Sequence, residues 1–145
     1  MNALSDLSGL QVMSLMASGA LPPPGIAGLL GMSLVEVDEG RAVFTLTPDD
    51  RMLNPIGSVH GGIAATLLDS CMGCAVHTTL PARSSYTTAQ LNLHYVRGMR
   101  PGMGEVTATG TVVHAGRRQV TAEARLVDRD GRLLAHGTTT CLVLA

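Results

Sequence analysis

Apolar residues near the start of the chain recur at helical spacing. In residues 5–18, SDLSGLQVMSLMAS, the positions of Leu7, Leu10, Val12, Leu15 and Met16 predict a helix opened by Ser5 or Asp6. Gly19 and the LPPPG run end it, because consecutive prolines remove backbone donors and fix an extended path. A short helical turn is expected at IAGLL. From Gly31 the period falls to two: MSLVEVD and RAVFTLTP alternate on either side of an EG turn, which predicts a hairpin. After the irregular PDDRMLNPIGS, the segment from Val59 to about Thr79 carries Asp69 as its only acidic or basic charge, its histidines counted as neutral. At about 20 residues and ~30 Å it predicts a long helix buried on most sides. The remainder reads as four strands, SYTTAQLNLHYV, GEVTATGTVVHA, RQVTAEARLVD and RLLAHGTTTCLVL, separated by the turn signals RPG, AGR and DRDG. Short connections imply antiparallel neighbours, so the pattern is α+β: two strands, one long buried helix, four more strands.

Composition narrows this picture. A chain of 145 residues, 46% hydrophobic, suits one domain over 1–145, with an N-terminal helix and Pro-rich turn (1–24) joined to a core (25–145) without a boundary. With one Phe, two Tyr and no Trp, the interior has to be built from Leu, Val, Ile, Ala and Met, and abundant Gly and Ala predict a thin, tightly packed core. The net charge is -1 and the 10 basic residues, all Arg, are scattered, which argues against a nucleic-acid partner. The first forty residues lack Lys and Arg, so no secretory n-region is present, and no run approaches the ~20 apolar residues that span a bilayer. A cytoplasmic protein with no membrane partner is expected. Its 3 cysteines are an odd number, too few for a disulfide framework, and are expected as reduced thiols.

The stretch NPIGSVHGGIAATLLD, Asn54 to Asp69, holds the candidate chemistry. Counted from Gly62 on a helix, Ala65, Asp69, Gly73 and Val76 form one stripe of small residues around a carboxylate, where a backbone, a helix or a ligand has room to approach. Ile63, Leu67 and Leu68 lie opposite, towards a sheet. Asp69 is open to two readings, a solvated helical aspartate or a costly, buried carboxylate kept for chemistry. The glycines are likewise open to two. They permit a tight loop-to-helix turn, or they let a ligand reach the unpartnered amides at a helix start, where partial positive charge favours an oxyanion. Gly62 and Asp69 are seven residues apart, about 10 Å along the axis at 1.5 Å per residue, so one carbonyl cannot touch both. If both act on one carbon, they come from two antiparallel copies of the helix, as a two-fold dimer supplies.

The spaced N-P-I-G-x-x-H-G-G and Asp on a long helix, preceded by the LLGM hairpin and followed by YTTAQLNLHYVR, resembles the hotdog-fold thioesterases of the phenylacetate-degradation PaaI type. The resemblance runs from about Pro24 to Leu144. It implies a hotdog fold, a long central helix on a curved antiparallel sheet, and acyl-CoA thioester hydrolysis without metal or cofactor, in a site formed across a homodimer, commonly within a homotetramer. Carried over residue by residue, the Gly61 amide hydrogen-bonds the thioester carbonyl, Asn54 helps to bind and orient it, and His60 shapes the turn. Asp69 of the facing subunit is then general base or nucleophile, and Thr88 carries the hydroxyl that orients the water. A hotdog dehydratase or hydratase and a non-catalytic acyl-CoA-binding module are the alternatives, against which the Asn-HGG-Asp series weighs.

Other motifs point to less. CMGC (Cys71 to Cys74) lies mid-helix with no second pair to complete a zinc site and reads as core thiols. His77, His94, His114 and His136 are dispersed, and Ser58 does not sit in a nucleophile elbow. Arg97, Arg100, Arg117 and Arg118 lie in or beside turns; they are ordinary solvated arginines or, with Gly62, part of the surface that binds coenzyme A through its phosphates.

Overall fold

The first helix starts later than its apolar pattern predicts. The computed structural model describes residues 3–145; a 3-10 turn occupies Ala3–Asp6 and α1 runs Gly9–Ala17. The cap is Ser8, not Ser5 or Asp6. Its hydroxyl accepts the Gln11 N–H and the Gln11 side chain accepts the Ser8 N–H, which satisfies two donors that the helix cannot. Asp6 instead meets the Arg83 guanidinium at 2.7 Å. The turn expected at IAGLL is α2 (Gly25–Leu30), closed by Gly31 in the left-handed region.

The hairpin is β1 (Ser33–Asp38) and β2 (Arg41–Leu46), the long helix is α3 (Gly61–Thr78), and the last strands are β3 (Ser85–Tyr95), β4 (Val106–Ala115), β5 (Gln119–Val127) and β6 (Leu133–Leu144). All pair antiparallel in one sheet of order β1-β2-β4-β5-β6-β3. Chain order therefore misleads at one point: β3 lies beside β6, not β4, and residues 96–105 carry the chain back across the sheet. β3 consequently forms an edge. Register shifts in β1–β2, β3–β6, β4–β5 and β5–β6 mark bulges that bend the sheet around the helix.

α3 lies across β2, β4 and β5. Leu67, Leu68, Cys71, Met72 and Ala75 are fully buried there, facing Ala108, Ala122 and Ala124, while Ile63 is half-buried. Burying each leucine contributes about 2–3 kcal/mol. Small residues on the sheet allow a close approach, closest at Gly110, where a Cβ would run into the backbone carbonyl of Cys71. At the far end of the helix the Gly9 N–H donates to the Leu80 carbonyl, and the Thr78 hydroxyl accepts the Gly40 N–H at 2.7 Å, tying α1 and the hairpin turn to α3.

Two outcomes follow from this packing. Gly110→Ala should lower stability by about 3 kcal/mol in denaturant unfolding, since backbone, not a flexible side chain, has to move. The second concerns His77, whose pKa is lowered by burial beneath α1 and beside the Tyr86 ring, 5.7 Å away between centroids. The folded state disfavours the imidazolium, so this contribution is complete above the ordinary pKa of 6.5 and declines as pH falls below it. Asp128, held below the usual carboxylate range by the Arg132 backbone N–H and guanidinium, responds only at lower pH. Melting curves between about pH 7 and 5 should fall with acidification, and His77→Gln should flatten that slope.

Candidate active site

The loop before α3 is built by its own polar groups. Asn54 Oδ1 accepts the N–H groups of Ile56 and Ser58, both at 3.1 Å, and its Nδ2 donates to Ser58 Oγ at 2.9 Å. One Nδ2 hydrogen thus remains for a ligand. Farther on, the Val59 N–H reaches the Met99 carbonyl and the His60 N–H the Met52 carbonyl, which fixes where the helix starts.

At that start the three leading amides have separate fates. The Gly62 N–H is capped by His60 Nδ1 at 2.8 Å, which defines the imidazole as unprotonated at Nδ1. The Ile63 N–H donates to the His60 carbonyl at 2.9 Å. The Gly61 N–H has no acceptor among the described residues, so a single amide is left open at the positive end of an 18-residue helix. The Gly61 carbonyl accepts a hydrogen bond from the Tyr95 hydroxyl at 2.9 Å, and the Tyr95 ring would sit 3.3 Å from a Cβ at Gly61.

Asp69 is half-buried, and its Oδ1 accepts the Thr88 hydroxyl at 3.0 Å. Thr88 is delivered by the β3 bulge: it pairs with Cys141 and Gln90 with Thr140, leaving Ala89 as the extra residue. The groups around the carboxylate are neutral. Burial pushes the Cys74 thiol up to about 12, with Asp69 adding to the shift, and also pushes up Cys71, Cys141 and the Tyr86 phenol. The stripe proposed for close approach is only partly open. Ala65 and Asp69 are half-exposed, but at Gly73 the neighbour that comes close is Tyr86 from the same chain, and Val76 is fully buried.

The arginines divide between two ends of the molecule. Arg97 borders a cavity of about 160 Å³ that Gly61, Tyr95, Val59, Met99 and Leu134 also line, and with Arg100 and Arg129 it faces an adjoining hollow of about 300 Å³. Arg117 and Arg118 lie in the β4–β5 turn, and Arg117 borders a hollow with Thr79 and Leu80 beyond the carboxyl end of α3. Within one chain they are therefore remote from Gly61. Sequence reasoning did not single out Tyr95, Tyr86 or Arg129, since each acquires its neighbours through strand pairing.

A family model described as Thioesterase superfamily matches residues 56–135, a span that holds Gly61, Asp69 and Thr88. The chain belongs to the thioesterase superfamily. Its fold is the hotdog α+β arrangement and it is a thioester hydrolase. It is 31% identical over 112 residues to the acyl-coenzyme A thioesterase PaaI of Escherichia coli, covering 75% of this chain and 75% of that protein. Against the 1,4-dihydroxy-2-naphthoyl-CoA hydrolase of Listeria monocytogenes it is 24% identical, covering 82% of this chain and 95% of that one. The crystal structure of a phenylacetic acid degradation-related protein of Ralstonia eutropha superimposes with a TM-score of 0.80 at 32% identity, covering 90% of this chain and 98% of that one. No helix among the described residues is long and apolar enough to cross a membrane.

The raised thiol pKa values have a practical readout. A thiol-reactive disulfide dye at about pH 8 should label fewer than one cysteine per folded chain and all 3 after denaturation, because thiolates are the reacting species.

Proposed function

We propose that the protein hydrolyses acyl-CoA thioesters in a composite site between two copies of the chain. The observation that carries this is the separation of an open Gly61 amide and a Thr88-bound Asp69 along one rigid helix, too far apart for one carbonyl. Two α3 helices running antiparallel across a two-fold axis bring the Gly61 of one copy beside the Asp69 of the other. The β3 edge supports such pairing, since a second β3 extends the sheet there.

In this site the thioester carbonyl oxygen sits at Gly61 N–H with the spare Nδ2 hydrogen of Asn54 beside it. Asp69 Oδ2 takes a proton from water while Thr88 holds Oδ1, and the water attacks the carbonyl carbon. The tetrahedral oxyanion is stabilised by the preset amide and the helix dipole. Collapse breaks the C–S bond, and the CoA thiolate leaves and is protonated. Arg97 and Arg100, beside the Gly61 cavity, suit the phosphates of coenzyme A from the same copy, and Arg117 and Arg118 suit them from the other. Neutral thiols around Asp69 leave its charge the dominant one on that flank. The dimer is the functional unit, and two dimers make the tetramer that the resemblance implies.

A panel of aryl- and alkyl-acyl-CoA substrates assayed for thiol release tests the activity. Asp69→Asn should lower kcat by about 10³-fold. Gly61→Pro removes the open amide; His60 already has the extended ψ of 134 that a following proline requires, and the exposed Tyr95 ring, 3.3 Å from a Cβ at 61, has only to shift slightly. It should inactivate as well. Refolding the two inactive variants together in equal amounts should restore about a quarter of wild-type activity, since half the dimers are mixed and each has one intact site. No recovery defeats the composite site; binding without turnover on every thioester defeats the hydrolase mechanism and leaves a binding module.

A further inference from the structure

Resting on the thioesterase reading, one further residue acts at the oxyanion site. We propose that Tyr95 is a positioning residue that fixes the direction of the Gly61 N–H through the hydrogen bond from its hydroxyl to the Gly61 carbonyl. The need arises from glycine itself. With no side chain, Gly61 has two soft backbone angles and nothing of its own to restrict them. The peptide group before it is held at its carbonyl, where the Ile63 N–H donates to His60 O at 2.9 Å. The peptide group after it is held at both ends: the Gly62 N–H by His60 Nδ1 at 2.8 Å and the Gly61 carbonyl by Tyr95 at 2.9 Å. The open N–H belongs to the first of these planes, and the Tyr95 bond, by holding the second, fixes the Gly61 φ that joins the two.

Tyr95 suits this task better than a packing role. The residue is 58% exposed, so its burial contributes little. Its ring nevertheless lies over Gly61, 3.3 Å from where a Cβ would stand. The phenol also borders the cavity of about 160 Å³ next to the amide, so the same ring limits how a bound carbonyl can tilt away from it. Preorganised donors gain their effect by not having to reorient as charge develops, and small misplacement is costly.

Tyr95→Phe keeps the ring and removes only the donor. In the intact dimer it should lower kcat about tenfold with KM changed less than twofold, and the melting temperature should stay within about 2 °C of wild type. A CoA-linked phosphonate that mimics the tetrahedral intermediate should lose affinity by a similar factor, while affinity for free CoA is unchanged. A purely structural tyrosine would shift the melting temperature or CoA affinity and leave the phosphonate-to-CoA ratio intact. Wild-type kcat and phosphonate affinity in Tyr95→Phe, with Asp69→Asn inactive, overturn the role of Tyr95 alone. A wild-type protein that turns over no thioester overturns the hydrolase reading and this inference with it.

Discussion

The closeness of α3 to the sheet is the constraint from which the rest follows. Gly110 on β4 lets the helix backbone at Cys71 approach without an intervening side chain, and Ala108, Ala122 and Ala124 continue that low surface. A helix seated so near a sheet cannot roll or slide without losing the contacts of Leu67, Leu68 and Met72. Fixing the roll decides that Asp69 emerges on a flank within reach of β3. Fixing the slide decides that Gly61 arrives at the end of β3, next to Tyr95. An interior poor in aromatics is what allows this, because bulky rings would hold the layers apart.

Hydrogen-bond supply at the start of α3 is the second organising fact. A helix start always has more donors than acceptors, and here one donor is capped by His60, one is returned to the His60 carbonyl, and one stays open. The open donor belongs to a residue with no side chain of its own to stand in the way of an incoming group. Electrostatic contrast does the rest: a dipole end on one side, and on the other a carboxylate surrounded by thiols and hydroxyls that carry no charge.

Much of this was legible in the sequence. Period-two alternation located the β1–β2 hairpin, turn signals marked off the other four strands, and the nearly uncharged run located α3, because local patterning governs where elements lie. NPIGSVHGGIAATLLD drew attention to both halves of the candidate site, because paired glycines and a lone aspartate are unusual in an apolar run. What stayed hidden depends on pairing across the sheet. Nothing local reveals that β3 pairs with β6, that Tyr86 covers Gly73, or that Arg97 and Arg117 lie at opposite ends of the helix. The α1 cap slipped for a different reason: Ser5, Asp6 and Ser8 are all competent caps, and the partner Gln11 decides among them.

The one-residue bulge in β3 has a consequence in simple parity. Successive residues of a strand face opposite ways, so Thr88 and Tyr95, seven apart, would point to opposite faces of an unbroken strand. Thr88 pairs with Cys141 and Tyr95 with Ala135, both on the helix side, because the extra Ala89 switches the count from odd to even between them. That switch lets a single strand address both ends of the chemistry, the aspartate with one hydroxyl and the glycine with another. Ala89 touches neither group, yet its presence in the count, whatever its side chain, determines that both hydroxyls arrive.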